Sequence, residues 1–256
     1  MEMLVLMMLI GGGAVVAAFG IGLDGGDDET VSPVLDDDAP NRLVGTDSND
    51  LILGGDGSDT LEGLSGRDIL EGGSGADTIF GGLGDDVVRT GDAFDKDGVS
   101  PGDRDQVFGG PGADTLVGGD GSQALYGGGY LAEENIGESL RRWDEIDDDF
   151  DSDILRGRSG NDILNFSGGD IATGGDGSDL FYLLDVNQML ELQTTATVTD
   201  FDYGEYLVLE WQTNWATDPA HIEIVEEDAW VMVHDHPILV AEGAAGILGL
   251  GKISRV

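Results

Sequence analysis

The chain has no cysteine, so no disulfide can staple it and no thiol can act as a nucleophile or metal ligand. Basic residues are scarce: 11 Lys and Arg stand against 52 Asp and Glu among 256 residues, a formal net charge of −41. That balance excludes nucleic acid as a partner, because phosphate needs a basic surface. It also makes self-repulsion oppose compaction wherever no cation is bound. Histidine is limited to His221, His234 and His236. No His-Glu-x-x-His zinc motif occurs, and Ser65, Ser74 and Ser159 each lack the closing glycine of a Gly-x-Ser-x-Gly elbow. His234-Asp235-His236 reads as a surface pair where a strand meets a turn, ahead of Pro237. Too little chain lies outside the repeats described next for a catalytic domain of ordinary size. The chain therefore reads as non-enzymatic.

What is abundant is glycine, 44 residues, and it falls in phase. Residues 45–89 are five consecutive nonapeptides: GTDSNDLIL, GGDGSDTLE, GLSGRDILE, GGSGADTIF and GGLGDDVVR. Glycine favours places 1, 2 and 4. Place 6 is Asp50, Asp59, Asp68, Asp77 and Asp86, and place 8 is Ile52, Leu61, Leu70, Ile79 and Val88. A fixed period this short predicts a solenoid whose units stack on their neighbours. Places 1 to 6 are turn-forming residues, and places 7 to 9 predict a short strand with only place 8 inward. If two repeats make one coil, turns two repeats apart lie over one another: Asp59 then faces Asp77, and Asp50, Asp68 and Asp86 share the opposite edge. One such turn offers a carboxylate and several carbonyls, and two stacked turns can satisfy a hard cation wanting six to eight oxygens.

The period resembles the RTX, or hemolysin-type calcium-binding, nonapeptide Gly-Gly-x-Gly-x-Asp-x-apolar-x. The resemblance implies an all-β fold, a parallel β-roll holding several Ca²⁺ ions. It implies that the earlier turn gives the carbonyls of places 2 and 4 with its Asp, and the later turn those of places 1 and 3 with its Asp. One site would use Gly55, Gly57, Asp59, Gly72, Ser74 and Asp77, and its neighbour Leu64, Gly66, Asp68, Gly81, Leu83 and Asp86. By the same rule Gly63 and Ser65 join Asp50 and Asp68, and Gly160 and Asp162 join Gly174, Asp176 and Asp179. Asp105, Asp114, Asp153 and Asp170 are further ligands in phase, whereas Gln123 stands at place 6 of GGDGSQALY with a neutral oxygen only. With the charge, this predicts folding coupled to Ca²⁺.

Taken in order, the chain reads as four parts. Residues 1–23 are a hydrophobic segment, expected to be an N-terminal helix. Met3–Leu23 carries no charge and is long enough to span a bilayer, which predicts membrane contact as an anchor or as a cleaved signal. Residues 24–44 read as an acidic disordered linker. Residues 45–182 are the roll, with insertions at 90–99 and 127–147. The first contains Asp95-x-Asp97-Gly98, which fails as an EF-hand because Ala93 and Arg104 occupy its end positions. The second, Leu131–Ile146, reads as an amphipathic helical excursion. Residues 183–256 alternate apolar and polar residues, which predicts a small antiparallel β segment closing the roll. Its Asp200-Phe201-Asp202-Tyr203-Gly204 resembles the Asp-Phe-x-x-Gly segment that often follows RTX repeats. The reading is a calcium-binding protein, secreted or tethered at the bacterial cell surface. An adhesion or interaction module, or an accessory module of an exported hydrolase, is the alternative.

Overall fold

Place 8 of each repeat has lost all contact with solvent. Leu43, Ile52, Leu61, Leu70, Ile79, Val88, Val107, Leu116, Leu125, Leu155, Leu164, Ala172 and Phe181 are fully buried in one continuous core. Places 7 and 9 flank it and face outward, because successive side chains of a strand point to opposite faces. The computed structural model describes residues 9–10, 13–17, 30–31, 39–91, 104–128, 151–210, 221–225, 227–233, 235–244 and 253–255.

The strands before residue 92 are β1 (Leu9–Ile10), β2 (Gly13–Ala17), β3 (Thr30–Val31), β4 (Arg42–Val44), β5 (Asp50–Asp56), β6 (Thr60–Ser65), β7 (Ile69–Ser74), β8 (Thr78–Leu83) and β9 (Val87–Arg89). Then come β10 (Gln106–Phe108), β11 (Thr115–Val117) and β12 (Ala124–Tyr126), followed by β13 (Ile154–Gly160), β14 (Ile163–Phe166), β15 (Ile171–Gly177) and β16 (Leu180–Leu183). A short helix, α1 (Val186–Leu192), precedes β17 (Ala196–Val198), β18 (Tyr206–Leu209), β19 (His221–Val225), β20 (Asp228–Val233), β21 (His236–Ala241) and β22 (Ile253–Arg255).

From β4 to β18 successive strands alternate between two sheets, so two repeats make one coil and every ladder in this stretch is parallel. The roll is thus a parallel β-roll. Two glycine requirements are geometric. Places 2 and 4 sit at positive φ, as at Gly55 (φ 99) and Gly57 (φ 126). Place 1 is tight instead: a Cβ on Gly54 would collide with the Gly72 carbonyl of the coil above. Leu64 (φ 80) and Arg158 (φ 78) adopt the place 2 conformation without being glycine, the strained exceptions.

The insertions enlarge turns and leave strand register intact. Uninterrupted turns stack 18 residues apart, whereas Asp77 bonds Asp105 28 residues on and Asp114 bonds Asp153 39 residues on. Their bodies, with the Asp95–Gly98 fragment and the expected Leu131–Ile146 helix, lie outside the described residues.

Three expectations are corrected. The N-terminal helix is not found in the described part of Met3–Leu23: Leu9–Ile10 and Gly13–Ala17 are strands, and β2 pairs in parallel with β4, extending the ladder downward. Thr30–Val31 and Arg42–Val44, within the segment read as disordered, are strands as well, in register with β5 and β6. The antiparallel segment is confined to β19, β20 and β21. β17 and β18 continue the parallel ladders on β15 and β16, because the apolar code of the roll persists past Tyr182. Among the described residues no helix is long and apolar enough to cross a membrane. Within the core Phe166 meets Phe181 edge-on at 6.2 Å, and Phe201 lies 5.8 Å from Phe181.

With one inward residue per repeat, a single truncation should be costly. Leu116→Ala should lose about 2–5 kcal/mol, the usual range for a buried Leu, while Leu83→Ala at a half-exposed turn position should stay within about 0.5 kcal/mol. Denaturant titration of both variants in saturating Ca²⁺ checks this. Equal losses would show that place 8 is not the core.

Candidate metal centre

Each place 6 aspartate lies between two coils. Along most of each edge its backbone N–H donates to the carboxylate of the aspartate above, and its own Oδ1 accepts from the residue below. Along one edge Asp50 donates to Asp68 (2.7 Å), Asp68 to Asp86 (2.7 Å), Asp86 to Asp114 (2.7 Å), Asp114 to Asp153 (2.8 Å) and Asp153 to Asp170 (2.9 Å). Along the other, Asn41 donates to Asp59 (2.8 Å), Asp59 to Asp77 (2.8 Å), Asp77 to Asp105 (2.9 Å), Gln123 to Asp162 (2.8 Å) and Asp162 to Asp179 (2.9 Å). All these aspartates are buried.

The carbonyl positions stack as well. Gly57 N–H donates to Ser74 O, and Gly66 N–H to Leu83 O, both at 2.8 Å. These carbonyls keep a second lone pair. Gly63 packs beside Asp68 Oδ2 and the Gly81 carbonyl, and Gly174 beside Asp179 Oδ2. The carbonyls of Gly55, Gly57, Leu64 and Gly66 lie against Gly73, Gly75, Gly82 and Gly84 of the next coil, and Gly160 lies over Gly121. Asp176 points to solvent.

The second carboxylate oxygen tests whether a cation fits. Asp50 Oδ1 and the Oδ2 atoms of Asp68, Asp86, Asp162 and Asp179 are buried and accept no hydrogen bond. A buried ionised oxygen without a partner is strongly unfavourable. The two ion pairs among the described residues, Arg42 with Glu62 and Arg67 with Asp85, neutralise none of them. A hard cation with oxygen ligands matches this donor set. Among the described residues no three His, Asp or Glu side chains gather at one point. A site here would take two carboxylates and complete its shell from carbonyls.

Without a cation the proton is the only substitute. Burial, with the neighbouring carboxylates of Asp86 and Asp50, pushes Asp68 up to about 7. Burial and Asp85 push Asp86 up to about 6, and burial and Asp179 push Asp162 up to about 7. Asp50 and Asp179 are raised by burial too.

The sequence reading missed several residues. Place 5 forms a second ladder: Asn49 Oδ1 accepts from Arg67 N–H (2.8 Å), and Ser58 Oγ from Ala76 N–H (3.3 Å). Asp85, Ser122 and Asn161 do the same for the turns above them. The preference for Ser, Asn and Asp there was the available signal. Gln123 fills its place with an amide which, with its nitrogen turned toward them, would donate to Asp162 Oδ1 and Gly121 O. Glu205 is buried in line with Asp179, pushed up to about 7 by burial and by Asp179, Asp200 and Asp202. The edge through Asp50 stops at Asp170, whose Oδ2 accepts from Ser167 N–H (2.7 Å). In register above it stands Ala196.

These raised values set the pH dependence of the metal-free fold. The folded pKa values lie above the ordinary 3.8 of the unfolded chain, so the stabilising protonation is complete below about pH 4. It is lost as pH rises through the 6–7 range. In chelator the roll should therefore keep β structure and a melting transition at pH 4.5 that are lost by pH 8. A melting temperature in chelator that rises with pH would contradict the ladder of buried acids.

The profile of the RTX calcium-binding nonapeptide repeat matches in four copies, at residues 37–70, 62–96, 102–129 and 142–170. No curated protein matches the chain. Among solved structures, the extracellular lipase LipA from Serratia marcescens is similar at 19% identity, with 84% of this chain and 40% of that one covered and a TM-score of 0.26. The chain thus spans 40% of that structure's length, and a likeness at this score carries no argument. The repeats, their phase and the two ladders agree: this chain carries RTX calcium-binding nonapeptide repeats on a parallel β-roll.

Proposed function

We propose that the chain is a non-catalytic module that folds on binding several Ca²⁺ ions outside the cytoplasm. The observation that carries this reading is the pair of buried carboxylate ladders, in which Asp68, Asp86, Asp162 and Asp179 each keep a buried oxygen that accepts no hydrogen bond. Asp59 and Asp77, with the carbonyls of Gly55, Gly57, Gly72 and Ser74, make one site. Asp68 and Asp86, with Leu64, Gly66, Gly81 and Leu83, make the next. Asp50 with Asp68, through Gly63 and Ser65, and Asp162 with Asp179, through Gly160, Gly174 and Asp176, repeat the arrangement. Asp105, Asp114, Asp153 and Asp170 continue the edges. Bound Ca²⁺ supplies positive charge where repulsion is densest and ties two coils together. The chain's own part is to hold glycine turns at a spacing that aims carbonyls and carboxylates at one point.

Weak sites suffice where Ca²⁺ is abundant, since extracellular modules bind at about 10⁻⁴–10⁻³ M. A chain of net charge −41 stays loose where Ca²⁺ is scarce, which suits export before folding. Met3–Leu23, apolar and uncharged, supports contact with a membrane on that route.

Far-ultraviolet circular dichroism tests the coupling. Chelator should abolish the β signal at pH 8, and restored millimolar Ca²⁺ should return it with a higher melting temperature. Fractionation of native cells tests the location. An unchanged spectrum in chelator would refute the coupling, and confinement to the cytosol would refute export.

A further inference from the structure

One carboxylate ladder continues beyond the matched repeats. Ala172 pairs with Val198 and Leu180 with Tyr206, so residues 199–205 match 173–179 one for one. Glu205 therefore stands over Asp179 as Asp179 stands over Asp162. The backbone repeats the link: Tyr206 N–H donates to Asp179 O at 3.1 Å, as Leu180 N–H does to Asp162 O at 2.9 Å. Glu205 and Asp179 are each 1% exposed.

The turn DFDYGE has none of the repeat's glycines at places 1, 2 and 4, which hides it from the nonapeptide pattern. It is held by other means. Asp200 accepts from Gly174 N–H (2.9 Å) and Gly175 N–H (2.7 Å), pinning the upper turn to the complete GGDGSD turn below. Glu205 Oε2 accepts from Asp202 N–H at 2.6 Å. Asp179 Oδ2 is buried below Glu205 and accepts no hydrogen bond. Neither ion pair among the described residues reaches this end of the roll.

We propose that turns 174–179 and 200–205 hold one further Ca²⁺-type divalent cation, with Asp179 and Glu205 as its carboxylate ligands. The inference rests on the calcium reading of the repeats. The extra methylene of Glu gives reach that an Asp on a glycine-poor turn would lack. An irregular shell of carboxylates and carbonyls suits Ca²⁺, whereas Mg²⁺ demands near-ideal octahedral geometry. The site would couple the C-terminal segment to the ion ladder, because Phe201 of this turn packs on Phe181 and β18 follows directly.

Glu205→Gln in the full chain is the test. It keeps an acceptor for Asp202 N–H and removes the charge. Calorimetric Ca²⁺ titration should give one ion fewer than wild type, with a smaller Ca²⁺-induced rise in melting temperature and no loss of stability in chelator. Tb³⁺ luminescence, sensitised through Tyr203 and Tyr206, should fall in the variant. The same ion count, melting shift and Tb³⁺ signal as wild type would overturn the site while leaving the repeats intact. A wild-type chain that takes up no Ca²⁺ would instead sink the wider reading. Should Glu205→Gln not fold, Glu205→Asp decides: weakened Ca²⁺ dependence supports the site, and unchanged dependence overturns it.

Discussion

Carboxylates stacked over carboxylates and buried between coils are the constraint on which the rest of the roll depends. Each coil places an aspartate over the aspartate of the coil below, at hydrogen-bond distance from its N–H. That backbone bond favours the charged carboxylate, but burial and the neighbouring carboxylates oppose the charge more strongly unless a cation or a proton neutralises it. Hydrophobic burial cannot supply the deficit, because each repeat contributes essentially one inward side chain. Under the proposed function, the cohesion of the roll comes from cations or, failing them, protons. The same constraint accounts for the glycines. A Cβ at place 1 would block the carbonyl of the next coil, and positive φ at places 2 and 4 turns the chain tightly enough to bring both turns onto one point.

The nine-residue phase made the centre of the molecule legible. Strict recurrence of Asp at place 6 and an aliphatic residue at place 8 determines the coil, the stacking of turns two repeats apart and the identity of the core, because a period of two repeats per turn admits one arrangement. Asp105, Asp153 and Asp170 were legible despite degenerate repeats, since the apolar residue two places on kept the phase.

The ends were not legible, for a physical reason. There the same geometry is reached with different residues. Glu205 replaces Asp on a turn without the glycine signature, and Asp200 pins that turn through side-chain bonds instead. β17 and β18 are short apolar-rich strands, a composition shared by parallel and antiparallel pairing, so the sequence leaves their pairing direction open. α1 lies in an enlarged turn, between an Asp185 and a Gln193 that both adopt left-handed backbone, a local feature with no sequence period. An uncharged 21-residue run is read by length as a helix, yet the described part of it pairs as strand with the foot of the roll.

The most direct measurement is an anomalous difference map from crystals of the full chain grown in Ca²⁺. Peaks should lie between stacked turns on both edges, among them one between Asp59 and Asp77 and one between Asp68 and Asp86, each within ligand distance of both carboxylates. A well-ordered roll showing no peaks there, with its aspartates paired through protons alone, would contradict the account.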